Sequence, residues 1–470
     1  MKKFYITTAI DYVNDTIHIG HAFQKIAADS LARYYRLKIG DENVFFLTGT
    51  DEYGQKTEKA AKSAGITPTE LVKKISDSDQ RQQDSLNISY NRFIRTTDPD
   101  HMKVAQKIWK KVDTSGDIYL GEYSGLYCGG CEAYYTEDDL INGQCPFHPN
   151  LKIQKVTEEN YFFRWSKYKD FLINYIKDNP NFIFPKHRAN EMLEFAKNIK
   201  DIPISRKHFK WGIPVPEHPE QVIYVWFDAL INYISGIGYL KDKKLFEKFW
   251  PADIHILGKD NLRWHSLLWT AMLKSSGIDL PKTIIINGFL NINGQKISKS
   301  LGNVIKPTDW IEKYGADAVR YYLLRYTVLT EDGDISEKKL IQAYNSDLAN
   351  GLGNLCSRVA KLAEKVGLEM ENGEKKLDPK VEKAIEDFQL HEALKIIWRK
   401  ISEIDKKLNQ EEPWKILDEK ILKEKLINYS KGIVEAVVNL KPFLPETAKK
   451  ILNQYDGKIT SQPPLFPRIK

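Results

Sequence analysis

The front of the chain restricts the fold more than any other stretch. Phe4 to Thr8 is a short β-type run, and a helical pattern begins at His18. Ile19, Phe23, Ile26 and Leu31 fall near one face of a period of about 3.6 residues, which predicts a helix running to about Tyr35. A strand, a tight connection and a helix make half of a βαβ unit, so the chain is expected to build a parallel sheet. The helix start offers unbonded main-chain N–H groups and the positive end of a dipole, a natural seat for phosphate. His18 and His21 stand there one turn apart, and Gly20 between them lets a ligand approach the backbone. Taken alone, His-x-Gly-His decorates a helix start more often than it serves a ligand.

A second stretch changes that balance. Lys296-Ile-Ser-Lys-Ser300 follows Asn293-Gly294-Gln295, a polar loop with two lysines three apart. Ammonium groups so placed suit the β- and γ-phosphates of a nucleotide or a departing pyrophosphate. Between the two stretches the cadence is α/β. Asn43 to Thr48 is a β-run, and Asp51 stands at the C-terminal end of that predicted strand, where ligand groups gather in open sheets. Helical patterns run to about Asn87 and from His101 to about Val112. Ile118 to Tyr127 alternates like a hairpin, Tyr161 to about Trp211 reads as helical, and Tyr224 to Tyr233 begins as strand and becomes helix. Ile254–Gly258 and Thr283–Gly288 are further strands. Beyond about Glu331 the β-signal stops. Ser336–Val366, Pro379–Leu408, Glu419–Leu440 and Pro445–Gln454 read as amphipathic helices of an all-α bundle. The Pro-rich tail from Gln462 to Pro467 is expected to lie against the body.

Three of the four cysteines lie close together. Cys128-Gly-Gly-Cys131 and Cys145-Pro-Phe-His148 each have the two-residue gap of a metal knuckle, and three thiolates with one imidazole satisfy tetrahedral zinc. Four protein ligands leave no open position, so the site reads as structural. Cys356 lies outside the pattern and reads as a core thiol. Four cysteines so clustered exclude a disulfide scaffold and point to a reducing compartment. No apolar run approaches the roughly 20 residues of a membrane span. The opening Met-Lys-Lys and the run to Ile10 have no small-residue cleavage site, so the protein is expected in the cytoplasm. A net charge of +7 suits a polyanionic partner without demanding one: from Ser336 onward there are 25 basic and 21 acidic side chains, about +4.

The histidine and lysine stretches, in this order at opposite ends of an α/β region, resemble the HIGH and KMSKS signatures of class I aminoacyl-tRNA synthetases. Four further matches narrow this to the methionyl-tRNA synthetase family in its short form: the Gly-Thr-Asp-Glu stretch around Asp51, the knuckle, Tyr224–Tyr233, and Lys-Ile-Ser-Lys-Ser-Leu-Gly-Asn303. The resemblance implies a Rossmann-type parallel sheet in two halves (1–115 and 216–282), split by a zinc-knuckle insertion (116–215). A lysine-loop region (283–335) and an α-helical anticodon-binding bundle (336–470) follow.

It also implies activation of methionine by ATP, with Mg²⁺, and transfer to tRNA(Met), initiator and elongator alike. His18, Gly20 and His21 would meet the phosphates, Lys296 and Lys299 the pentavalent state and leaving pyrophosphate, and Gly258 and Asp260 the ribose. The family's methionine pocket falls on Ile10, Tyr12, Val225, Trp226, Ala229, Leu230, Tyr233, His265 and Trp269, with Asp51 on the substrate ammonium. Aromatic walls suit a thioether, at roughly 0.3–1.5 kcal/mol per sulfur contact. Asn354, Arg358 and Trp414 match the base-reading positions. Tyr53, Asn261 and Asp11 depart from the family pattern. With no domain after Lys470, a monomer is expected. Leucine, isoleucine and valine enzymes carry a large editing insertion for which the roughly 100 residues here leave no room. A cysteine enzyme wants an open zinc. A tRNA-binding protein without catalysis is opposed by the intact His18, His21, Lys296 and Lys299.

Overall fold

Phe4–Thr8 (β1) is buried at every position and lies inside a seven-stranded sheet. The structure, a computed structural model, describes residues 2–131, 133–135, 137–207, 210–297, 302–373 and 376–469; for Tyr123, Ser124, Ala133, Tyr134 and Asp138 it describes the backbone. Lys299 lies outside the described residues.

β1 pairs in parallel with Val44–Asp51 (β3) on one side and with Ile254–Gly258 on the other. Thr283–Asn287 and Ile183–Phe184 extend the sheet in parallel. Arg92–Arg95 (β4) flanks β3, and the short Asp11–Tyr12 (β2) pairs with the far end of β3. All eight residues of β3 are buried, as expected of a strand covered on both faces. Gly49 allows β4 to close on β3, since a Cβ there would stand 1.9 Å from the Ile94 carbonyl oxygen.

The chain divides into two compact units, one of residues 1–17, 39–82 and 90–287, the other of 18–38, 83–89 and 288–470. The first holds the parallel sheet and one continuous apolar core from Tyr5 to Ile286. It also holds a four-stranded antiparallel sheet built on Ile118–Cys128, which pairs along ten positions with Gln154–Phe163. Ile118–Tyr127 is thus one continuous strand whose long partner lies beyond the knuckle, not a hairpin in itself.

The stretch from Tyr161 to Trp211 is also less helical than expected. Its first residues finish that strand, helices occupy Lys169–Asp178 and Lys186–Ala196, and short strands follow. Alternating burial in Glu158–Phe162 is what an aromatic count hides. Likewise the strand His218–Ile223 ends before Tyr224, and helix begins at Val225.

In the second unit Ile19–Ile39 (α1), all but its last residue, packs through a buried face from Ile19 to Tyr34. Asp29 of α1 pairs with Arg320 at 2.7 Å, both fully buried, and Arg320 also donates to the carbonyls of Leu86, Pro442 and Phe443. The rest of this unit is mainly helical. Pro379–Leu408 is broken, since Phe388 at φ 61° separates Pro379–Glu386 from Leu390–Glu411. Among the described residues, two small β-pairs survive beyond residue 331: Gly333–Ile335 against Leu290–Ile292, and Glu369–Met370 against Gly457–Lys458. The tail is held as expected, with Phe466 buried against Tyr344 and Ile469 exchanging two hydrogen bonds with the Asn345 side chain. No described helix is long and apolar enough to cross a membrane.

Candidate active site

The start of α1 settles the protonation of both histidines. The Gly20 N–H donates to His18 Nδ1 at 3.0 Å, and the His18 N–H donates to His21 Nδ1 at 3.2 Å. A ring nitrogen that accepts carries no proton, so each neutral imidazole keeps its hydrogen on Nε2. The rings stack with centroids 3.9 Å apart and planes 26° from parallel, a contact two imidazolium cations would oppose. Desolvation, aided by the Lys25 charge, brings His21 down to about 4, so it is neutral near pH 7. Two Nε2–H donors therefore stand at the head of the helix, at the positive end of its dipole, while the His18, Ile19 and Gly20 N–H groups are already engaged. A Cβ at Gly20 would lie 2.8 Å from His18 Cε1, so glycine is what this ring position permits.

The lysine loop begins beside them in the same unit. The Ile19 N–H donates to the Ile305 carbonyl at 2.9 Å, and the Gly20 Cβ position is 3.7 Å from Ile297 Cδ1. Leu290–Ile292 and Gln295–Lys296 form a hairpin turned by Asn293 and Gly294, both at positive φ as a tight two-residue turn demands. Asn303 closes the loop by donating its amide to the Lys296 carbonyl at 3.0 Å. Lys296 is exposed. No role was read for Asn303 in the sequence, although an amide just after Leu-Gly at the loop's end is a ready signal for such a clasp.

In the first unit β3 delivers Asp51 as its last residue, paired in register with Tyr12. Tyr233 is held at both ends: its hydroxyl donates to His265 Nε2 at 2.6 Å and its carbonyl accepts from the Tyr5 hydroxyl at 2.6 Å. The direction follows from the other side of the ring, where His265 Nδ1–H faces the Asn261 carbonyl at 2.9 Å. Asn261, a departure by its side chain, thus serves through its main chain. Burial raises the Tyr233 phenol, and the charges of Asp51 and Asp11 add to it, so the hydroxyl remains a donor. Leu230, Tyr233 and Trp269 share one buried cluster with Ile10 and Trp226 at its edge, and Val225 and Ala229 are buried on the helix of Leu230. Trp226 stacks on Trp264 at 4.8 Å and 14°, and its Nε1–H donates to the Cys131 carbonyl at 3.4 Å. Trp264 was missed, since its role comes from stacking and not from a motif. Gly258 ends its strand, and Asp260 stands on the single turn Lys259–Asn261 that follows.

Buried neutral imidazoles make stability depend on pH. Burial brings His265 down to about 4 and His255 well below its usual value, and His21 behaves alike. The unfolded chain protonates these groups near pH 6.5, whereas the folded chain protonates His21 and His265 only near 4 and holds His255 well below its usual value, so stability is lost as pH falls below about 6.5. Each contributes about 1.4 kcal/mol per pH unit where it is charged only when unfolded. Melting between pH 7 and 4.5 should report at least two protons taken up on unfolding near pH 5; an uptake below one would contradict this burial.

The knuckle brings its four residues together. One ligand atom from each of Cys128, Cys131, Cys145 and His148 lies within 4.8 Å of the others; Cys131 Sγ is 3.4 Å from Cys145 Sγ and 3.2 Å from His148 Nδ1. Bonds of about 2.3 Å to a tetrahedral zinc put sulfurs roughly 3.7 Å apart, so this donor set fits the ion. Gly130 is required, because a Cβ there would meet the His148 ring at 2.4 Å. Cys356 is buried and separate, as expected of a core thiol. Elemental analysis should find one zinc per chain, lost in Cys145→Ser and retained in Cys356→Ala. Chelation should expose 128–148 to protease before the parallel sheet; uniform proteolysis would refute a local structural role.

In the helical bundle Asn354 and Arg358 lie one turn apart on the helix Asn354–Lys365. The Arg358 guanidinium stands 5.1 Å from the Trp414 ring centroid and donates to Asp405 at 3.3 Å and Asn409 at 2.8 Å. Trp414 is 44% exposed, an unusual state for so large an apolar ring, and Asn354 is exposed one turn before Arg358. Asp405 and Asn409, which aim the arginine, were not foreseen.

A parallel nucleotide-binding sheet with paired imidazole donors at a helix head and a lysine hairpin next to them defines a class I aminoacyl-tRNA synthetase. The family model described as tRNA synthetases class I (M) matches residues 4–154 and 150–360. The methionine–tRNA ligase of Thermotoga maritima is 44% identical over 474 residues, covering 96% of this chain and 75% of that protein. That of Mycobacterium tuberculosis is 40% identical, covering 96% and 92%. A solved structure of Mycobacterium tuberculosis methionyl-tRNA synthetase in complex with methionyl-adenylate superimposes with a TM-score of 0.91 at 38% identity, covering all of both chains. The chain belongs to the methionyl-tRNA synthetase family. It is a methionine–tRNA ligase, an enzyme whose substrates are methionine, ATP and tRNA.

Proposed function

We propose the following division of labour among the residues of this ligase. A carboxylate oxygen of methionine attacks the α-phosphorus of ATP, the bond from that phosphorus to the bridging oxygen breaks, and pyrophosphate leaves. A ribose hydroxyl at the 3′ end of tRNA(Met), initiator or elongator, then attacks the carbonyl and AMP departs. Neither step needs a covalent enzyme intermediate, so catalysis is positioning and charge neutralisation. His18 and His21 donate from Nε2 to the phosphates, Gly20 lets them approach the backbone, Lys296 and Lys299 neutralise the pentavalent state, and Gly258 and Asp260 take the ribose. Mg²⁺ accompanies ATP. Asp51 holds the substrate ammonium; Ile10, Tyr12, Val225, Trp226, Ala229, Leu230, Tyr233, His265 and Trp269 enclose the thioether. Asn354, Arg358 and Trp414 read the anticodon.

The supporting observation is the pair of Nε2–H imidazoles beside the base of the lysine hairpin. We assign residues 1–115 and 216–282 to catalysis, 116–215 to the knuckle insertion, 283–335 to the lysine loop and 336–470 to anticodon binding, in a cytoplasmic monomer. ATP–pyrophosphate exchange run with each of the twenty amino acids tests the scheme. Exchange with methionine alone is expected; silence with all twenty would leave a tRNA-binding protein without catalysis.

A further inference from the structure

Three buried polar side chains in and against the Val225–Ser235 segment have no part in the scheme above: His101, Asp228 and Ser235, each exposed by 1% or less. His101 stands on the helix Pro99–Thr114 and reaches both of the others. Its Nε2 is 2.7 Å from Asp228 Oδ1 and its Nδ1 is 2.7 Å from Ser235 Oγ. Asp228 follows Trp226 on the helix Val225–Leu230, and Ser235 closes the short helix Asn232–Ser235 that carries Tyr233. The helix is interrupted at Ile231, where the segment is linked by the Ile231 N–H donating to the Asp228 carbonyl at 3.0 Å, the Ser235 N–H donating to the Ile231 carbonyl at 3.1 Å and the Asn232 amide donating to the Ala229 carbonyl at 2.7 Å. To these local bonds His101 adds a link from another helix, joining the two halves from outside the segment.

A serine, a histidine and an aspartate in contact invite comparison with a nucleophilic triad. Burial excludes it: Ser235 Oγ is enclosed and donates to the Asn232 carbonyl at 3.3 Å, with no path for a reacting group. Asp228 Oδ2 has no hydrogen-bond partner among the described residues, so His101 is what compensates this buried acid. Neighbouring contacts pin the same end: Arg92 donates to the carbonyls of Ser235 and Gly236 at 3.3 and 3.4 Å, and a Cβ on Gly236 would strike Leu47 at 2.6 Å.

We propose that His101 is a positioning residue for amino-acid recognition, bracing the two halves of the broken helix so that Trp226, Ala229 and Leu230 keep their distance from the Tyr233–His265 pair. This rests on the assignment of those residues to the methionine pocket. A brace of this kind sets pocket width and leaves the phosphate-binding histidines and lysines untouched.

The test compares methionine Kd from intrinsic tryptophan fluorescence with KM for methionine and for ATP in pyrophosphate exchange. His101→Leu combined with Asp228→Asn removes the brace without leaving an unpaired charge, and should raise methionine Kd and KM about 10–100-fold with KM for ATP within about twofold. His101→Gln, which retains a donor toward Asp228, should restore most of the loss. Ser235→Ala should weaken methionine by about 3–10-fold and carries the test if the double variant does not fold. Methionine constants within twofold of the parent, or equal losses for methionine and ATP, would overturn the bracing role. Ala229→Val separates the two readings: if it weakens methionine while the His101 and Ser235 variants do not, the pocket stands and the brace falls. If it too is silent, the pocket assignment falls and the brace with it.

Discussion

Replacing His21 by alanine is expected to slow methionine-dependent pyrophosphate exchange about 10²–10³-fold while methionine affinity stays within about twofold. The imidazole meets no part of the amino acid in this scheme; it offers one Nε2–H to charge that builds on the phosphates. Its proton sits on Nε2 because Nδ1 already accepts from the His18 N–H, and it is neutral across the physiological range because desolvation and Lys25 bring it to about 4. Glutamine places an amide N–H near the Nε2 position and asparagine places one near Nδ1. His21→Gln should therefore retain more activity than His21→Asn. The reverse order would mean that Nδ1 is the working atom and that the tautomer read here is wrong. Lys299→Ala should give the same signature, with exchange slowed by orders of magnitude and methionine binding nearly intact. Equal loss in rate and in methionine affinity would assign either residue to ground-state binding.

Much of this fold is legible in the sequence because the central strands of its parallel sheet are fully buried. β1 and Ile254–Gly258 stand where their apolar runs predict, since a strand covered on both faces has few polar residues to blur its ends. The knuckle is legible for a different reason: two thiol-bearing pairs with two-residue gaps have few uses besides a metal. Reading fails where a residue's surroundings come from distant segments. Tyr161–Phe163 reads as helix by its aromatic density and is strand because Ile118–Leu120 lies alongside. Asn261 looks like a departure by side chain and contributes a carbonyl. Trp264, Asn303, Asp405 and Asn409 carry no local pattern, and their roles exist only once Trp226, Lys296 and Arg358 are in place. Patterns report period and ligand spacing; they do not report which distant group holds a side chain still.

That distinction governs the bundle as well. Arg358 is aimed by Asp405 and Asn409, and its guanidinium stands over Trp414, so the pair presents a flat cationic and aromatic surface to solvent. Such a surface suits an unpaired base, which can stack on the indole while the guanidinium and the Asn354 amide reach its edge. Stacking of one base on an aromatic ring is worth about 1–3 kcal/mol, or roughly 5- to 150-fold in affinity. Trp414→Ala also removes a wall that limits the motion of Arg358. The variant is expected to lower kcat/KM for charging of tRNA(Met) by about 10²-fold or more while exchange without tRNA stays within about twofold. Trp414→Phe, which retains a smaller stacking face, should recover part of the loss. Since Trp414 is nearly half exposed, its removal should leave the melting temperature close to that of the parent. Impaired exchange, or a loss in charging that phenylalanine does not relieve, would show that this tryptophan supports the bundle and does not read a base.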